Sequence, residues 1–272
     1  MMKHIANTPV IFLYATFFGL SACSSLSKKS SEKFLLEVKG EPGRREVLEY
    51  ISKSLEQKYF EDGVMKEQES TTRFAVAFTT LKVEPEKVFF KVESLAHEGA
   101  FELEDLAFPP KGEPMDLVLT TKEGKVLKAG DYPQNSTFYV PPVPLPKGPV
   151  QIGDSWKFET QWVNMKTGAP FVLEMAVIFK DVETCGSQKC AVLDVSGDVA
   201  LNIQQQSVGF SSELTGWMRF GLTSGSLDST EIRSSDKLQT AEGMMKIYSC
   251  LGIRRQGRDK SLVDCQWPSP NN

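Results

Sequence analysis

Phe171, Leu173, Met175, Val177 and Phe179 place an apolar side chain at every second position over nine residues. That period belongs to a β-strand with one face against a core, because a helix would scatter the five side chains around its axis. The alternation recurs along the chain. Trp156, Phe158 and Trp162 share one parity, with Lys157, Glu159 and Gln161 on the other; residues 192–203 continue the pattern, followed by Leu214, Met218, Phe220 and Leu222. Turn signals separate the runs: Glu84-Pro85-Glu86 between 73–83 and 87–95, Glu123-Gly124 between 117–121 and 125–128, and 223–226 before 227–233, with a further strand at 243–249. Residues 45–59 fit two periods. Val47, Leu48, Ile51 and Leu55 have helical spacing, yet the stretch also alternates, and its β surroundings favour a strand. The pattern predicts an all-β fold: a large twisted antiparallel sheet arranged as a sandwich or incomplete barrel. Because Val172, Ala176 and Ile178 are also apolar, the second face of 171–179 is expected to be half buried.

The beginning of the chain has a different grammar. Residues 1–9 carry Lys3 and no acid, and 10–20 form an almost unbroken apolar run of eleven. As a helix that run would reach about 16 Å, roughly half of a ~30 Å hydrocarbon core, too short for a permanent span. It ends in Leu20-Ser21-Ala22-Cys23, which resembles the lipobox of bacterial lipoproteins. The resemblance implies that 1–22 are a cleaved lipoprotein signal peptide and that Cys23 becomes the lipidated N-terminus, bearing a thioether diacylglycerol and an amide-linked acyl chain. At about 0.8 kcal/mol per buried CH₂, two or three chains hold where one would not. The absence of Asp at Ser24 implies the outer membrane rather than the inner. The expected location is therefore the bacterial cell envelope, with the lipid bilayer as first partner. Residues 23–33 then form the lipidated cysteine and a flexible tether. Positions 24–33 hold one apolar side chain and extend up to about 33 Å. Lys28, Lys29 and Lys33 fit a solvated linker better than a headgroup contact. Residues 34–272 are the β-rich domain.

Four cysteines remain, Cys185, Cys190, Cys250 and Cys265. An even number in an exported domain reads as disulfides, and three pairings are formally open. Neighbour pairing, Cys185–Cys190 and Cys250–Cys265, is preferred, because Gly186 and Ser187 suit a tight hairpin tip. Closing the shorter loop is worth about 2 kcal/mol and the longer about 3. A redox site would have two intervening residues rather than four, and zinc would lack further ligands.

Residues 141–149 contain five prolines in nine positions, a candidate sub-boundary or a rigid edge segment crossing the sheet. They run into Pro149-Val150-Gln151-Ile152-Gly153-Asp154-Ser155-Trp156. This stretch resembles a motif of β-rich bacterial envelope lipoproteins: Pro-Val, two residues, Gly-Asp, a small residue, Trp. That likeness extends loosely over 116–235 and implies no activity.

Chemistry-bearing residues are sparse. The net charge is −4 and the chain has two histidines, His4 and His97, so no basic excess points to nucleic acid. Ser155 follows Gly-Asp as in one esterase signature, but no histidine comes late enough to serve it. His97 reads as a polar surface residue. Glu98, Glu102, Glu104 and Asp105 could in principle supply paired carboxylates for glycan hydrolysis or calcium, though solvated acid is the simpler reading. Trp156, Trp162, Trp217 and Trp267 at strand parity read as core before they read as a sugar site. No cofactor and no metal site is expected. Lys246, Arg254, Arg255, Arg258 and Lys260 form a basic C-terminal group that could meet lipopolysaccharide phosphates or peptidoglycan carboxylates. The leading reading is a membrane-anchored, non-enzymatic envelope lipoprotein with a structural or interaction role, in contact with an envelope protein, lipopolysaccharide or peptidoglycan. The alternative is a carrier of lipid or another apolar ligand in a β half-barrel. Behind both stands a carboxylate-dependent envelope glycan hydrolase.

Overall fold

The computed structural model describes residues 32–60, 63, 65–99, 101–201, 209–240, 243–259, 263 and 265. The expected signal peptide, Cys23, most of the tether, Lys260 and Trp267 lie outside them. Strands are β1 (Arg45–Phe60), β2 (Met65–Glu84), β3 (Lys87–Glu98), β4 (Met115–Thr120), β5 (Val126–Ala129), β6 (Ser155–Val163), β7 (Pro170–Cys185), β8 (Gln188–Leu201), β9 (Gly209–Gly221), β10 (Leu227–Thr240) and β11 (Gly243–Arg255). They form one antiparallel sheet in the order β5-β4-β3-β2-β1-β11-β10-β9-β8-β7-β6. Two meanders, β1–β5 and β6–β11, are joined where the first and last strands pair over thirteen residues, Leu48 with Arg255 through Phe60 with Gly243.

The two-period stretch resolves as β1 because it is the hinge of this arrangement. Tyr50 is fully enclosed and stacks on Phe74 at 4.5 Å, with Phe108 edge-on at 4.8 Å. That burial holds the Tyr50 phenol far above its ordinary pKa. Pairing with β2 and β11 on both sides leaves a helix no room.

One face of the sheet carries the core. Val76, Val88, Val177, Phe179 and Leu193 are fully buried on it. The sheet curls where Gly197 and Gly216 let strands close up: a Cβ on Gly197 would meet Glu174 O at 2.1 Å, and one on Gly216 would meet Glu231 O at 2.2 Å. The curl brings the edges toward one another without closing them. The 3₁₀ turn Thr137–Tyr139 touches both β5 and β6, and Val163 N donates to Asn135 O at 2.6 Å. Of the two expected architectures, the incomplete barrel describes the sheet.

The half-buried second face expected for 171–179 is found at Val172 alone. Ala176 is exposed and Ile178 is 44% exposed, beside the Lys180–Asp194 ion pair. Among the described residues no second layer covers the outer face there, so Ala176 and Ile178 face water.

Three segments fill the core face. A strap, 34–40, crosses one end: Phe34 bonds Val150 in both directions, and Val38 N donates to Thr121 O at 2.7 Å. Leu36 and Val38 turn inward and are buried. The β3–β4 connection contributes Leu103. The proline-rich segment is the third, with Val143 and Leu145 buried. It is the rigid edge segment of the two readings, since Trp156 Nε1 donates to Pro144 O at 2.8 Å. The Gly153-Asp154 turn fastens it to β7: Gly153 N donates to Phe179 O, Phe179 N to Asp154 O, and Asp154 Oδ2 accepts from Gln151 N. The Pro-Val-x-x-Gly-Asp-x-Trp stretch is thus a clamp that fixes the covering segment to edge strand β6.

Candidate functional site

Both neighbour disulfides are formed. Cys185–Cys190, Cα–Cα 5.8 Å, pinches the β7–β8 hairpin at Gly186. Cys250–Cys265, Cα–Cα 5.5 Å, lays the C-terminal segment on the outer face of β11, where Gly252 makes room for Val263. Buried Asp228 stands near the first pair of sulfurs and Glu231 near the second. With the sulfurs bonded to each other, neither trio offers a thiolate to a metal.

The basic C-terminal residues do not share one surface. Arg254 and Arg255 leave β11 on opposite faces: Arg254 bonds Glu49 on the outer face, at 2.8 and 2.6 Å, while Arg255 bonds Glu46 at 2.6 Å on the core-face parity. Lys246 lies eight residues back, about 26 Å along an extended strand, with its Nζ 5.3 Å from the centre of the Tyr59 ring. The expected patch is therefore divided by strand parity and strand length. Among the described residues of the group, Arg255 and Arg258 come together.

They do so in a pocket of about 410 Å³ at the strap end of the sheet, lined also by Arg44, Ser187, Gln188, Thr223, Ser224, Gln256 and Gly257. Four turns converge here: the chain entering β1, the β7–β8 tip, the β9–β10 turn and the turn after β11. Glu46 Oε1 accepts from Arg44 and Arg255, and Asp228 Oδ1 accepts from Arg258 Nε and Nη2 at 3.0 and 2.5 Å. Arg258 Nη2 also reaches Cys185 O at 2.7 Å, and Arg255 Nη2 reaches Ser226 Oγ at 2.7 Å. Gln188 holds Ser224 through its backbone N and its hydroxyl. Arg255 Nε is buried without a hydrogen-bond partner among the described residues; Asp228 Oδ1 is 3.8 Å away. Among the ion pairs of the described residues, three guanidinium groups here share two carboxylates, an excess of one positive charge in a polar, solvent-open concavity. Arg44, Gln188, Ser224 and Asp228 were not legible as site residues. They come from three separated stretches of the chain, and the pairing of β8 with β9, β10 with β11 and β1 with β11 brings them together.

A second cavity, about 640 Å³, opens beside Arg73, His97, Glu98, Arg254 and Val263. His97 Nε2 donates to Phe101 O at 2.7 Å, a structural bond closing the end of β3. The acidic run is likewise engaged: Glu104 accepts from Tyr132 Oη at 3.1 Å, and Asp105 pairs with Lys166 at 2.7 Å. Burial, and then the Glu104 carboxylate, lift the Tyr132 phenol to about 12. Ser155 is exposed at the start of β6. The tryptophans are not gathered: Trp156 and Trp162 lie along edge strand β6, packed against the core, whereas Trp217 is on the outer parity of β9, beneath Arg219 at 4.9 Å. No protein-family model matches the chain, and no curated protein matches it either.

Proposed function

We propose that this chain is a lipid-anchored, non-enzymatic envelope protein that works by binding at a membrane surface, with acylated Cys23 as its anchor and the outer membrane as its site. The observation that carries this reading is where the described fold begins. Phe34, eleven residues after Cys23, is already bonded to Val150 and set edge-on to Phe179 at 5.4 Å. A lipidated cysteine would therefore moor the β-sheet through the short tether alone, with the strap end nearest the bilayer. The polar residues that could suggest chemistry hold turns and chain crossings instead. The carrier alternative drew on a doubly apolar β7, and that strand has one wet face; the core face it would need is occupied by Leu36, Leu103, Val143 and Leu145. Mass spectrometry of the protein from its own cells tests the reading. Diacylglyceryl-modified Cys23 at the mature N-terminus is the expected result; an unmodified thiol with residues 1–22 still attached would overturn it.

A further inference from the structure

We infer that the pocket between Arg44, Arg255 and Arg258 is a binding site for a phosphate monoester, supplied either by an anionic lipid headgroup or by a free phosphorylated compound. The inference names the ligand class of the binding role proposed above and rests on that reading for its membrane setting only. Glu46 and Asp228 do not neutralise the three guanidinium groups, and Lys39 adds a cation at the rim, its Nζ on Leu222 O at 2.9 Å. Donor-bearing side chains line the pocket from four separate turns rather than from one. Among the described residues, the Arg44 guanidinium bonds through Nη2 alone, and the two Nη1 hydrogens of Arg258 have no acceptor. Ser187 and Thr223 bring hydroxyls to the same space. Donors spread in three dimensions suit a tetrahedral oxyanion better than a flat carboxylate. The site is held in shape from below. Asp228 is 1% exposed and orients Arg258, and a Cβ on Gly186 would fall 1.5 Å from Arg258 Nη1, so the hairpin tip keeps the glycine that lets this guanidinium lie there. Its position fits a surface-facing role, since the strap that leads from the tether bonds the pocket turn directly, Lys39 N to Gly225 O at 3.1 Å.

The test is calorimetric titration of the whole protein with inorganic phosphate at low ionic strength, with chloride as control. Phosphate is expected to bind at least ten-fold more tightly than chloride. Arg44→Gln, which removes a partly exposed cation and leaves the buried Arg258–Asp228 pair intact, is expected to weaken phosphate at least five-fold with an unchanged circular dichroism spectrum. Lys122→Gln, an exposed cation on the β4–β5 turn, is expected to leave it unchanged. Phosphate binding no tighter than chloride, or equal weakening by Arg44→Gln and Lys122→Gln, would overturn the site. Hydrogen exchange of the protein anchored in phosphatidylcholine vesicles, with and without phosphatidic acid, separates the sources. Added protection at 223–225 and 256–258 only with phosphatidic acid assigns the headgroup, and phosphate binding without that protection assigns a free monoester. The phosphate titration does not depend on acylation, so its failure would remove this site alone, whereas an unacylated Cys23 would remove the anchoring proposal and leave the titration standing.

Discussion

At the scale of single residues, the sheet's curvature rests on missing side chains. Gly216 faces the backbone of β10, where a Cβ would lie 2.2 Å from Glu231 O and 2.8 Å from Ile232 Cα. A carbonyl in a paired ladder cannot swing aside as a side chain would, so Gly216→Ala is expected to cost about 1–3 kcal/mol. Gly148→Ala has nothing within 4 Å of its new Cβ and should be neutral within about 0.5 kcal/mol. Urea midpoints of the two variants check this, and equal midpoints would mean that β9 and β10 can separate at no cost. Asp236 is a second such position. Its Oδ1 is enclosed without a partner among the described residues, and the facing residues Ser212 and Ile247 carry no charge. Burial raises its carboxyl above the ordinary 3.8, and the hydroxyls of Ser212 and Ser234 only partly offset this. The folded state therefore holds the proton more tightly than the unfolded chain, and the stability Asp236 contributes falls as pH rises past 3.8. Asp236→Asn should melt higher than the parent at pH 7, with the difference vanishing near about pH 3. Identical melting curves at both pH values would show that the carboxylate is solvated.

At the scale of elements, most strands were legible, and the reason is local: a strand's period and its flanking turns are carried in adjacent residues. The stretches 141–149 and 149–156 stood out in the sequence, but what they hold did not, because it lies in contacts with β7 and with the core rather than in their own pattern. The basic group was misjudged for a related reason. Sequence proximity joined Arg254 to Arg255, while strand parity sends them to opposite faces. The disulfides, by contrast, were legible from an even cysteine count and the turn residues Gly186 and Ser187, which are local signals, and they differ in what they hold. Cys185–Cys190 closes a hairpin that ladder hydrogen bonds already define, whereas Cys250–Cys265 ties Cys265, which lies outside the described strands, to β11, where Val263 sits over Gly252. Replacing the first pair by serine should cost about 2 kcal/mol and the second about 3. Chemical denaturation under non-reducing conditions gives the order. A larger loss from the first pair would mean that the hairpin tip, with Arg258 bonded to Cys185 O, carries more of the fold than its short loop implies.

At the scale of the whole molecule, the strap decides how the anchor and the fold are coupled. Phe34, Leu36 and Val38 enter a sheet end that no strand covers, and burying three such side chains contributes roughly 5–8 kcal/mol. Domains of this kind are stable by about 5–15 kcal/mol in total. The strap is therefore not an appendage: its loss would consume most of the margin. A chain beginning at Glu32 should melt cooperatively. One beginning at Glu41 should bind a hydrophobic dye and lose its sharp transition, the signature of an opened core. If the shorter chain instead melts within a few degrees of the longer, the strap is peelable. The tether would then gain the seven residues from Phe34 to Gly40, about 23 Å of extra reach at the ~3.3 Å per residue of extended chain. That outcome would detach the arginine pocket from any fixed height above the bilayer. An integral strap instead ties the two together, since the segment that buries Leu36 and Val38 also bonds Gly225 at the pocket's edge. Pulling on the N-terminus would then load the Phe34–Val150 bonds first and the Val38–Thr121 bond next, and it would reach the pocket turn, through Lys39 and Gly225, only after the strap had given way.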